Sequence, residues 1–87
     1  MMRLVYDKSF LKAATLLQAS QRRKLAVLLE KFRDDPFNPL LHTKPLSGTF
    51  AGFFSFRIAR DWRVMFQFID ADTIRLLDVA HRKDVYR

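Results

Sequence analysis

Apolar residues recur at two different spacings along this chain, and the change of spacing divides it. Leu4 and Tyr6 alternate with Arg3 and Val5, the period-two mark of a short strand. Asp7 then stands where a helix N-cap belongs, and Phe10, Leu11, Ala14 and Leu17 follow at helical spacing. Ser20 is a second N-cap candidate, opening a stronger helix with Leu25, Leu28, Leu29 and Phe32 on one face. Arg22, Arg23, Glu30, Lys31 and Arg33 occupy the other face. Asp34-Asp35-Pro36 ends this helix, because the residue before a proline is pushed out of the α region. The two helices are nearly contiguous, so an antiparallel helical hairpin is expected.

A connection over residues 36–52 carries Pro36, Pro39, Pro45, Gly48 and Gly52, together with His42 and Lys44. Loops of this length in a compact domain are often functional. Period two then returns. Phe54, Phe56 and Ile58 alternate with Phe53, Ser55 and Arg57, and Trp62, Val64, Phe66 and Phe68 alternate with Arg63, Met65 and Gln67. Asp70-Ala71-Asp72 is a turn, and Thr73 to Ala80 is a last strand, apolar on both of its faces. The order β-α-α-β-β-β gives an α+β domain, an antiparallel sheet with the helical hairpin packed on one face.

A three-residue turn, Ala59-Arg60-Asp61, would set Ile58 opposite Trp62 and Arg57 opposite Arg63. Like charges facing each other across strands are destabilising, and an anion between them would relieve this, since guanidinium forks match phosphate oxygens. Two solvated arginines on an exposed sheet face are the alternative, and spacing does not choose between them.

Composition narrows the picture. Residues 1–87 make one domain with a small core, supplied densely by nine Phe and one Trp. There is no cysteine, which excludes a disulfide framework and a zinc-thiolate site. No carboxylate cluster or histidine pair suggests a metal, and no cofactor is expected. No apolar run approaches the roughly 20 residues that cross a bilayer. The start has no signal-peptide pattern. A cytoplasmic protein without a membrane partner is therefore expected. A net charge of +7 gives a field that attracts polyanions. The last seven residues, His81-Arg82-Lys83-Asp84-Val85-Tyr86-Arg87, add an imidazole, a phenol and guanidinium groups directly after the last strand.

Three stretches, in this order, carry a resemblance. They are Lys44-Pro45-Leu46-Ser47-Gly48, then Phe53-Phe54-Ser55-Phe56-Arg57-Ile58 with Asp61-Trp62-Arg63-Val64-Met65-Phe66, then His81-Arg82-Lys83-Asp84-Val85-Tyr86. Together they resemble the RelE/ParE superfamily of bacterial toxins, in its ribosome-dependent endoribonuclease branch of RelE, YoeB and YafQ types. The resemblance implies metal-independent mRNA cleavage in the ribosomal A site by attack of a 2′-hydroxyl on the adjacent phosphate. It implies Lys44 as general base with His42 as a second option, Arg63 stabilising the phosphorane, and Arg57 and Arg82 binding phosphate. It further implies His81 as general acid and Tyr86 stacking on a base. Asp61 matches an acidic residue of the YafQ type, although capping a turn is its local reading. The chain has neither the lysine pair of the RelE type nor the full histidine set of the YafQ type.

The resemblance also implies a cognate antitoxin, and the excess positive charge suits an acidic, partly disordered segment that folds on binding. Ribosome and mRNA complete the expected partners. Two other readings stay open. One is a ParE-like toxin that inhibits DNA gyrase without being a nuclease. The other is a basic nucleic-acid-binding module without catalysis.

Overall fold

Both spacings become the expected elements in a computed structural model, which describes residues 1–85. The elements are β1 (Arg3–Tyr6), α1 (Lys8–Thr15), α2 (Ala19–Asp34), β2 (Lys44–Pro45), β3 (Phe54–Ala59), β4 (Trp62–Phe68), β5 (Thr73–His81) and α3 (Arg82–Val85). The fold is α+β with the helical hairpin ahead of the main sheet. Two features go beyond the alternation pattern. The long connection supplies β2, whose two residues are too few to show a period; Lys44 opposes Ser55 and Pro45 opposes Phe54. The sheet is also mixed, in the order β1-β5-β4-β3-β2, because β1 runs parallel to β5. Parallel neighbours need a long crossover, and the helical hairpin begins that crossover.

Helix entry differs from the sequence expectation at both helices. Asp7 holds the cap position of α1 but makes no side-chain cap; its carboxylate accepts from Arg75 Nε on β5 at 2.7 Å. Ser20 does not cap α2. Gln18 does, in a reciprocal exchange with Gln21, each side chain accepting from the other's backbone N–H. Asp35 leaves the helix in an extended conformation, as the following proline requires.

The main core lies between the hairpin and the sheet. Phe32 is fully buried, with ring centroids 4.8 Å from Phe56 and 4.7 Å from Phe66. Leu25 and Leu28 join it from α2, and Ile74, Leu76 and Val79 from β5. The double-faced apolar pattern of β5 has a local cause. Met65 opposes Asp78 while Phe66 opposes Leu76, so Leu77 is an extra residue that reverses the strand's parity. On the opposite face of the sheet a smaller cluster of Leu46, Met65 and Val85 is buried, with Phe53 and Leu77 against it. That face, expected to be exposed and basic, is therefore partly covered. At the β4–β5 turn Asp70 accepts the Asp72 backbone N–H at 2.8 Å, which holds its carboxyl below the usual range.

Phe32→Ala is expected to lower the unfolding free energy by about 3–5 kcal/mol in urea titration. Leu11→Ala, at a position 51% exposed, should cost far less. Equal losses for the two would contradict this assignment of the core.

Candidate functional site

The β3–β4 connection is tighter than its sequence suggests. Arg57 opposes Arg63 as expected, but Ala59, not Ile58, opposes Trp62. The turn itself is Arg60-Asp61, and an irregularity between Arg57 and Ala59 absorbs the spare residue. Ile58 stays in the main core with Phe56, at 1% exposure, while Arg57 remains on the exposed side.

Arg63 lies beneath this turn and is only 6% exposed. Its Nη1 is 2.9 Å from the Ala59 carbonyl oxygen, 2.9 Å from that of Arg60 and 3.1 Å from that of Trp62. A buried guanidinium is costly unless it is hydrogen-bonded, and these three carbonyls provide the bonding. The same contacts clamp the turn.

Asp61 links the turn to the chain's last helix. Its backbone carbonyl accepts from the Arg82 N–H at 2.7 Å, and its carboxylate lies 3.5 Å from Arg82 Nε. At the other end of α3, Val85 is buried against the smaller cluster. The segment after β5 therefore folds back onto the β3–β4 hairpin and brings Arg82 beside it.

Arg57, Arg63 and Arg82 line a cleft of about 510 Å³, together with His42, Arg60 and Lys24. His42 arrives from the connection with a left-handed φ of 51°, at the end of the short 3-10 turn Pro39–Leu41. Histidine tolerates that conformation better than most residues. The site thus offers four guanidinium groups, one ammonium and one imidazole.

Of the remaining expected residues, Lys44 and His81 do not line the cleft. Lys44 is exposed on β2 opposite Ser55, one row along from the Arg57–Arg63 pair on the same face, and does not line the cleft. His81 faces away from the Arg57–Arg63 pair. Its register partner is Trp62, with ring centroids 5.5 Å apart, and it keeps the parity of Val79 on the hairpin side of the sheet. The Leu77 bulge is what decides that face. His81 Nδ1 accepts from the Lys83 N–H at 3.3 Å, so the imidazole serves the start of α3. Tyr86 lies outside the described residues. Among the described residues no group of three or more His, Cys, Asp or Glu could hold a metal.

Two lining residues were not singled out from sequence, Lys24 and Arg60. Lys24 had a usable signal. It sits beside Leu25 and four residues before Leu28, at the border of the apolar face, from which its side chain reaches the sheet edge. Arg60 occupies a turn position that pattern alone does not aim.

No protein-family model and no curated protein matches this chain. Solved structures match in fold. A YoeB/ParE toxin from Agrobacterium tumefaciens, 22% identical, aligns with 93% of this chain and 99% of its own at a TM-score of 0.77. YafQ from E. coli, 16% identical, aligns over 100% of both chains at 0.79. A chain of the RelB-RelE antitoxin-toxin complex from Methanococcus jannaschii, 21% identical, aligns over 93% of each at 0.73. The chain therefore has the fold of these toxins.

Arg63→Ala removes a buried, hydrogen-bonded cation and should cost about 1.5–3 kcal/mol in urea unfolding. Arg57→Ala, on the exposed side, should stay within about 0.5 kcal/mol. An Arg63→Ala protein as stable as the parent would contradict the clamp.

Proposed function

We propose that this chain is the toxin of a type II toxin–antitoxin pair and acts as a ribosome-dependent endoribonuclease on mRNA. One observation carries the reading: Arg57, Arg63 and Arg82, from two strands and the chain's last helix, meet with His42 around one cleft. Three guanidinium groups suit a phosphate that gains negative charge in the transition state. The fold shared with RelE, YoeB and YafQ toxins adds to it.

In this mechanism the 2′-oxygen of one nucleotide bonds to the adjacent phosphorus and the bond from phosphorus to the 5′-oxygen breaks. The products are a 2′,3′-cyclic phosphate and a 5′-hydroxyl. The 2′-hydroxyl gives up a proton and the leaving 5′-oxygen gains one, so no oxidant, metal or cofactor enters the balance. Arg63 is held rigid by the turn carbonyls and meets the phosphate in a fixed orientation, while Arg57 and Arg82 close on it from either side. His42, the imidazole of the cleft, moves the proton. Lys44, one row away, adds positive charge along the path of the message.

The proposed partners are the ribosome with its mRNA, in the cytoplasm, and an acidic antitoxin. The net charge of +7 favours an acidic partner, and the Methanococcus neighbour was solved as an antitoxin-toxin complex.

The test is in-vitro translation followed by primer extension on the message. The parent chain should produce discrete stops. Arg57→Ala and Arg82→Ala should each lower the cleavage rate by about 10²-fold or more, the scale of lost transition-state donors. His42→Gln should lower the cleavage rate by about 10²-fold or more, the scale of a lost general acid or base, and His81→Gln should leave the rate unchanged. Intact message with folded protein would overturn the nuclease reading. Gyrase inhibition in a supercoiling assay would then replace it.

A further inference from the structure

The cleft carries more positive charge than one phosphodiester needs. Arg63 is bonded to turn carbonyls, and Arg82 has Asp61 at 3.5 Å with both side chains about half exposed. The side chains of Lys24, Arg57 and Arg60 make no hydrogen bond or ion pair among the described residues. Like charges gathered in one concavity repel, and bound anions relieve that repulsion. A phosphodiester brings a single negative charge, which the three arginines of the proposed centre already exceed.

The surplus is not scattered. Lys24 comes from α2 and Arg60 from the tip of the β3–β4 turn, while Arg57 and Arg63 come from the paired strands. Leu40, 60% exposed, lines the same cleft beside them. An apolar side chain next to unpartnered cations suits a sugar or base carried between two phosphates better than a free inorganic ion. A volume of about 510 Å³ falls within the range of small-molecule sites, about 300–1,000 Å³.

We infer that Lys24 and Arg60 form a second phosphate subsite, holding the phosphodiester next to the one bound by Arg57, Arg63 and Arg82 on single-stranded RNA. This rests on the endoribonuclease reading and extends it from one phosphate to two. It also gives α2 a direct part in binding substrate, through a lysine at the margin of its buried face.

The experiment is fluorescence anisotropy of the full chain with a labelled 2′-O-methyl RNA hexamer, titrated at several salt concentrations. This RNA cannot be cut, so the readout does not depend on catalysis. Each phosphate contact to single-stranded RNA contributes about 0.7 to the salt slope, so Lys24→Ala and Arg60→Ala should each reduce that slope by about 0.7. Each should also weaken binding by about 3- to 10-fold at fixed salt. Lys31→Ala, on the same helix but outside the cleft lining, is the control and should change neither. The inference is overturned if Lys24→Ala behaves like Lys31→Ala, or if the parent chain does not bind the hexamer. It is also overturned if both cleft variants weaken competition by inorganic phosphate without weakening RNA. Message that stays uncut on the ribosome while the slopes fall as described would sink the nuclease reading and leave the subsite standing.

Discussion

The guanidinium of Arg63 beneath the β3–β4 turn is the contact from which the rest of the site follows. Three carbonyls converge on its Nη1 from Ala59, Arg60 and Trp62. Burying a cation in a small domain is costly, and these carbonyls offset the cost only if the turn keeps one shape. That shape keeps Ile58 in the core and leaves Arg57 outside. It presents Arg60 at the tip, and it turns the Asp61 carbonyl toward the Arg82 N–H. A residue with the chemistry expected of an anion ligand is thus also a structural clamp. The two roles agree, since a guanidinium fixed before substrate arrives needs little reorganisation when charge develops on a phosphate.

The sheet divides the labour between its faces. One face buries the main core under the helical hairpin, with Phe32 between Phe56 and Phe66. The other carries the small cluster of Leu46, Met65 and Val85. The small cluster contributes modest area, yet it fixes both segments that flank the arginines, the β2 region through Leu46 and α3 through Val85. The walls of the cleft come from parts of the chain far apart in sequence, from Lys24 on α2 to Arg82 on α3.

Much of this was legible in the sequence. Helical spacing located Leu25, Leu28 and Phe32, and alternation located β3 and β4 together with the Arg57–Arg63 pair. Two features turned on one-residue irregularities. A spare residue before Ala59 altered the partner of Trp62. The extra Leu77 set the face of His81, which the apolar pattern of the last strand had left open. A bulge leaves no period in sequence, and a slip of one residue sends a side chain to the opposite face. Two-residue β2 and the aim of Lys24 were hidden for a related reason, since both depend on tertiary neighbours. The family resemblance carried the fold correctly, and of the residues it pointed to, Arg57, Arg63, Arg82 and His42 line one cleft.

One histidine lines the cleft and the other packs against Trp62, and following both tests the proposed site most directly. Imidazole NMR spectra recorded while an uncleavable single-stranded RNA is added should show the resonances of His42 moving with occupancy, and those of His81, against Trp62, remaining in place. Movement of His81 with His42 unchanged would put the RNA away from the cleft and contradict the site described for this protein.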